Sequence, residues 1–150
     1  MKPLTFALCF LLLALPLGAC GKKGPPIPND TTNLFSWKAA KGEVFTEKYD
    51  GQLVRCLSVT ADLAGAAHNA ERFILEIEPQ TADVCEGCPF LPAEFADVVP
   101  ETAIAAQDFT RYTFAYCPAK QADAYRWRLA AHSVFKGVPH AFSKVYGPVR

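Results

Sequence analysis

Along most of this chain apolar residues recur at every second position, the period of a β-strand with one buried face. In "LVRCLSVTADL", Leu57, Val59, Ala61 and Leu63 alternate with Cys56, Ser58, Thr60 and Asp62. In "RFILEIE", Phe73, Leu75 and Ile77 alternate with Arg72, Glu76 and Glu78. The same period sets Tyr112, Phe114 and Tyr116 against Arg111, Thr113 and Cys117. It also sets Tyr125, Trp127, Leu129 and Ala131 against Arg126, Arg128 and His132. "AFSKVYGPV" closes the chain as a last strand. Asp50-Gly51, between "EVFTEKY" and "QLVRC", is the strongest short signal for a two-residue hairpin turn. Ala64 to Asn69, with Gly65, reads as a loop, and "LPAEFADVV" is the one stretch with helical character. Short strands at regular spacing with turns between them predict an all-β sandwich or barrel.

The N-terminus breaks this pattern. Lys2 precedes an uncharged run from Leu4 to Ala19. That is short of the ~20 apolar residues that a membrane-spanning helix needs. Pro16 and Gly18 near its end fit a secretory signal with a cleavage site. The motif Leu17-Gly18-Ala19-Cys20 resembles the bacterial lipobox. The resemblance implies cleavage before Cys20 and a covalent lipid on its thiol, so residues 1–19 are a lipoprotein signal peptide. Cys9 leaves with it. Two or three acyl chains hold a protein stably in a bilayer, whereas one is marginal. Lys22 and Lys23 follow at headgroup level, where each basic residue gains about 1 kcal/mol from anionic lipid. In the Gram-negative lipoproteins this resembles, Asp after the cysteine favours inner-membrane retention. Gly21 therefore implies a periplasm-facing outer-membrane location.

Residues 20–33 are rich in Pro, Gly, Lys and Thr and read as the lipidated cysteine and a tether. "CGKKGPP" also resembles the start of a small outer-membrane lipoprotein that assists assembly of the lipopolysaccharide translocon, though its composition suffices for a solvated spacer. At ~3.1 Å per residue in polyproline geometry, the tether reaches roughly 40 Å. The globular domain is residues 34–150. Lys+Arg and Asp+Glu are 15 each, with no basic stripe interleaved with aromatics, so nucleic acid is not an expected partner.

"AYRWRLAAHSVFKGVPHAFSKVYGPV" resembles the F strand, FG loop and G strand of a fibronectin type III domain, a β-sandwich of the immunoglobulin-like class. The resemblance makes Tyr125 the corner tyrosine and Trp127 and Leu129 core residues. It makes "SVTADL" and "RFILEIEP" strands B and C. The chain departs from the family in having no Trp at Val59 and in carrying the extra residues 34–52.

Four cysteines remain, at Cys56, Cys85, Cys88 and Cys117. On the fibronectin strand plan, B holds Cys56 near its start, the CxxC follows C, and Cys117 ends E. All four then gather at one end of the sandwich. In an exported protein they are disulfide candidates. The same plan pairs Cys56 with Cys117 on neighbouring strands and Cys85 with Cys88 locally. A Cys₄ zinc site has the ligand count, but the spacing C-x₂₈-C-x₂-C-x₂₈-C is not that of paired knuckles. No metal is assigned. A different class of reading takes Cys85 and Cys88 as the redox pair of a thioredoxin-like thiol-disulfide oxidoreductase, with strand, CxxC and helix in order. Val84 replaces the Trp usual there, and Pro89 and Pro92 interrupt the proposed helix.

His68, His132 and His140 lack ligand spacing, and no GxSxG, P-loop or HExxH motif is present. No catalytic residue is assigned, and no cofactor is expected beyond the lipid on Cys20. The expected function is non-catalytic binding or scaffolding in the cell envelope. The partners are the bilayer, through the acyl anchor, and an envelope protein. If strands C and F pair antiparallel, Glu76 faces Arg128 and Glu78 faces Arg126 as an exposed outer ladder, with Phe73, Leu75 and Ile77 inside.

Overall fold

The computed structural model describes residues 31–80 and 87–150. The expected signal peptide, Cys20, most of the expected tether and Cys85 lie outside the described residues. Nine strands are described: β1 (Phe35–Tyr49), β2 (Gln52–Gly65), β3 (Ala70–Gln80), β4 (Glu94–Val98), β5 (Thr102–Ala105), β6 (Phe109–Tyr116), β7 (Ala124–Ser133), β8 (Ala141–Phe142) and β9 (Tyr146–Val149). They form two antiparallel sheets. Sheet 1 has the order β1-β2-β6-β5, and sheet 2 the order β4-β3-β7-β8, with β9 also on β7.

The alternating residues put the core between the sheets. Leu57, Val59, Leu63 and Phe114 from sheet 1 meet Leu75, Ile77, Trp127 and Leu129 from sheet 2, all fully buried. Phe73 bridges the layers, its ring 4.8 Å from that of Tyr112 and 5.2 Å from that of Phe114. Trp127 stacks on Tyr146 at 4.7 Å. Gly42 lies against the indole, where a Cβ would come within 2.6 Å of Nε1, so a side chain there would displace the ring.

β3 and β7 pair in the expected register, with Ile77 opposite Trp127 and Leu75 opposite Leu129. Phe73 faces Ala131, and Tyr125 faces Pro79. The ladder Glu76–Arg128 and Glu78–Arg126 forms as expected. Its exposure does not follow expectation: the Glu76 and Glu78 side chains are only 7% and 15% accessible. The rings of Phe90 and Phe142 lie over the guanidinium groups and shield the pairs.

Three other expectations are corrected. No α-helix occurs among the described residues, and the helical stretch is strand β4. Ala96 and Val98 are buried while Phe95 and Asp97 are exposed, a period of two. Pro92 bars the residue before it from helical geometry, and the open edge of β3 supplies the hydrogen-bonding partner. Residues 34–52, extra to the family pattern, are integral to the sheet: most of them form β1, its longest strand, with a bulge at Lys38. The final strand is broken at Ser143, whose Oγ accepts the Leu129 N–H at 2.9 Å in place of a backbone carbonyl.

Candidate binding surface

β1 and β2 pair along their whole lengths, from Phe35 opposite Gly65 to Tyr49 opposite Gln52. β6 covers β2 only from Leu57 to Ala64. Residues 45–56 therefore continue beyond the sheet as a two-stranded ribbon. Its turn obeys the sequence signal: Asp50 and Gly51 have φ of 48° and 82°, the double positive φ of a type I′ hairpin.

A two-stranded ribbon is marginal alone, and here its base is clamped. Cys56 and Cys117 form a disulfide between β2 and the end of β6. Arg55 is tied to the β6–β7 connection. Its N–H donates to Gln121 Oε1 at 2.6 Å, and Gln121 Nε2 donates to its carbonyl at 3.2 Å. Its guanidinium donates to the carbonyls of Ala122 and Asp123 at 3.1 and 2.9 Å. Beside this clamp, Pro79, Gln80 and Lys120 help line a shallow open depression of about 440 Å³. Beyond the clamp the ribbon displays apolar side chains. Tyr49 is 74% and Leu53 76% accessible, and Phe45 stands partly exposed opposite Cys56.

The cysteines fall where the strand plan put them, as far as they are described. Cys56 and Cys117 are paired with each other, and Cys88 is also disulfide-bonded. The Cys88 carbonyl accepts Arg126 Nη2 at 3.2 Å, which holds it at the same end, near the start of β7. Among the described residues, one group offers metal-ligating chemistry: Glu47 with Cys56 and Cys117. With the sulfurs bonded to each other they present no thiolates, which metal binding requires.

Two polar clusters lie elsewhere. Glu94 Oε1 accepts the Tyr116 hydroxyl at 2.6 Å and the Ala119 N–H at 3.2 Å, linking β4 of sheet 2 to β6 of sheet 1. The carboxylate beside it, with burial adding, pushes the Tyr116 phenol up to about 12. On the outer face of sheet 2, the rings of His132 and His140 lie 3.6 Å apart, next to the Arg72–Asp97 ion pair. Burial first, then His140 and Arg72, hold the His132 pKa below the ordinary histidine value.

Sequence reasoning found the cysteines and the turn but missed Tyr49, Leu53, Arg55 and Gln121. A signal for the ribbon was present: the arms flanking Asp50-Gly51 are longer than the strand that pairs next to them. No protein-family model, curated protein or solved structure matches the chain.

Proposed function

We propose that this chain is a lipid-anchored envelope protein whose fibronectin type III-like domain acts as a non-catalytic binding or scaffolding module. The strand order supports the immunoglobulin-like class to which this domain type belongs, since β1-β2-β6-β5 and β4-β3-β7-β8 correspond to A-B-E-D and C′-C-F-G. So does Tyr125 at the start of β7, whose hydroxyl accepts the Ala122 N–H at 3.1 Å as a corner tyrosine does. Where the family carries Trp, Val59 stands, and the indole of Trp127 from the facing sheet lies against Gly42, the partner of Val59 on β1. On this plan the Cys88 disulfide is closed by Cys85 across the CxxC, as a loop staple.

The observation that carries the binding reading is the clamped ribbon with Tyr49 and Leu53 at its tip. Solvent-exposed aromatic and aliphatic side chains on a rigid arm are what a protein interface is built around. β1 begins where the tether joins the domain, so at ~3.3 Å per residue its far end stands up to ~45 Å away. The partner is an envelope protein that meets the domain on the side away from the anchor. The oxidoreductase alternative needs a helix after the CxxC, and that segment leads into strand β4.

Two measurements test this. Labelling with a palmitate analogue should mark the wild-type chain and not Cys20→Ala, which should leave the membrane fraction. A photo-crosslinking residue at Tyr49 or Leu53 should give a discrete protein adduct in intact cells, whereas one at Thr113, on the sheet 1 face, should not. Adducts equally abundant from both sites refute the ribbon as the binding element.

A further inference from the structure

The two ends of the sandwich both expose apolar side chains, and the ribbon accounts for only one of them. At the other end, Val134 and Phe135 in the β7–β8 connection are each about half exposed, and Leu34 is similar. They sit where the chain enters the domain. The Val134 N–H donates to the Asn69 carbonyl at 3.0 Å. The Asn69 side chain in turn donates to Asn33 Oδ1 at 3.1 Å, one residue before Leu34. The connection is held in shape rather than trailing. Ser133 Oγ accepts the Phe135 N–H at 3.1 Å, and the Phe135 carbonyl accepts from Gly137 and Val138 at 3.0 and 3.2 Å. This tight turn presents Val134 and Phe135 outward with the exposed Lys136 beside them.

We infer that the β7–β8 turn is a membrane-contact element: Val134 and Phe135 enter the interface of the phospholipid leaflet that holds the anchor, and Lys136 pairs with its phosphates. This rests on the lipid anchor at Cys20 proposed above. The argument is one of chain length and place. Ten residues, Gly21 to Asp30, separate the anchor at Cys20 from the described chain. As a flexible coil they span roughly 20 Å, and fully stretched in polyproline geometry about 35 Å. A tether of that length holds the end it joins at roughly millimolar effective concentration near the bilayer. A weak contact is then enough to orient the domain. Phe and Val with an adjacent Lys are the composition that interfacial segments use, the rings sitting at headgroup level and the cation on anionic lipid. The same contact turns the opposite end, with Tyr49 and Leu53, away from the membrane.

The test uses the full lipidated chain in vesicles of phosphatidylethanolamine and phosphatidylglycerol, with lipids brominated near the glycerol end of their chains. Flotation first asks whether the chain is anchored. In chains that float, Phe135→Trp is expected to lose roughly half of its added emission, because an interfacial ring sits roughly 5–10 Å into the headgroup boundary. Val134→Trp should behave alike and covers the case of one variant folding poorly. Tyr49→Trp should be unquenched, and the wild-type chain corrects for Trp37 and Trp127. A chain that floats with neither turn variant quenched overturns this inference and leaves the anchor standing. A chain that does not float overturns both.

Discussion

The outer faces of the two sheets carry the same alternation of charged and small polar residues, yet one is open and the other is covered. On sheet 1, Ser58, Thr60 and Asp62 from β2 lie with Lys41, Glu43 and Arg111 in an open groove of about 390 Å³. On sheet 2, Glu76 and Glu78 from β3 pair with Arg128 and Arg126 from β7 beneath Phe90 and Phe142. Both faces hold well-formed ion pairs. Arg111 donates to Asp62 in a fork at 2.7 and 2.9 Å, with the Arg111 side chain half in water and that of Asp62 13% accessible beneath it. Arg128 Nε donates to Glu76 at 2.7 Å with the carboxylate shielded. Arg126 Nη1 lies 3.1 Å from Glu78 Oε2 without hydrogen-bond alignment, although that oxygen is buried. Alternation decides which way a side chain points. Whether that direction leads to water depends on what the connections bring over the face.

The largest expected effect concerns the covalent link on the open side. The Cys56–Cys117 disulfide closes a loop with a sequence separation of 61. In the chain-entropy model that is worth about 4 kcal/mol. The double variant Cys56→Ser, Cys117→Ser should lower the melting midpoint by roughly 10–20 °C in calorimetry. A drop of a degree or two would show that the Arg55–Gln121 clamp holds the ribbon base unaided.

Next comes the covered ladder. Arg128→Ala leaves the Glu76 carboxylate shielded and unpaired, a loss of about 2–4 kcal/mol, since breaking one side of a buried pair strands the other charge. Arg111→Ala should cost less, because the half-exposed guanidinium is itself what covers Asp62, and its removal opens that 13% accessible carboxylate to water. Denaturant midpoints for the two variants measure the cover directly, and equal losses would mean that Phe90 and Phe142 shield nothing. The pair Glu76→Gln, Arg128→Met should recover much of the loss.

The limit that this comparison shows in the faces also explains what could be read from the chain. β2, β3, β6 and β7 were legible because each buries one face against the core, so that Leu57, Leu75, Phe114 and Trp127 mark the period. Register between β3 and β7 followed, since a one-residue slip would bury the Glu and Arg set. The Cys56–Cys117 pairing was legible through the strand plan. β4 was not, because Leu91 and Val99 extend its apolar residues past the alternating core of five and mimic a helix. β5 was not, because all four of its residues are exposed and carry no pattern. The ribbon's Tyr49 and Leu53 were legible as residues but not as a surface, since exposure of an apolar strand position is decided by the absence of a third strand.

A smaller effect belongs to the tie between the sheets. Tyr116→Phe removes the hydroxyl that Glu94 accepts and should cost about 1.5–3 kcal/mol, the range for a hydrogen bond to a charged group. The raised phenol pKa gives this a pH signature. A tyrosine whose folded pKa lies above its unfolded one contributes stability that is complete below pH ~10 and is lost as pH climbs through about 12. Burial also raises the Tyr112 and Tyr146 phenols, so ultraviolet titration should show several late-ionising tyrosines, and Tyr116→Phe should reduce the latest component by one ring. An unchanged late amplitude in that variant would assign the latest titration to another ring.

Acid pH should separate the two faces. His132 on sheet 2 has its pKa lowered by burial, His140 and Arg72, against a smaller opposing pull from Asp97. The unfolded chain binds that proton more readily, so this contribution is complete above pH ~6.5 and fades as pH falls toward the folded value. Asp62 on sheet 1 is lowered chiefly by its hydrogen bonds from Arg111. Its contribution is complete above the ordinary carboxylate pKa and fades only as pH drops through a value below that. Stability measured from pH 7 to pH 5 should therefore fall modestly in the wild type and less in His132→Gln. Identical slopes would remove the histidine stack as the cause.

The smallest effect is the sharpest check on the open face. Lys41 and Glu43 form an ion pair two residues apart on β1, with both side chains largely in solvent. The lysine, by hydrogen bond and then by charge, holds the Glu43 carboxyl below its usual range. Such a pair gains little, since water screens the attraction and two flexible chains must be ordered to make it. Glu43→Gln should leave the melting midpoint unchanged within error at physiological salt. The groove that this pair borders is open in the isolated chain, so a clear loss of stability would need something to cover it. A loss that grows with protein concentration would identify that cover as a second copy seated on sheet 1, and the contrast between a wet face and a dry one would then hold only for the monomer.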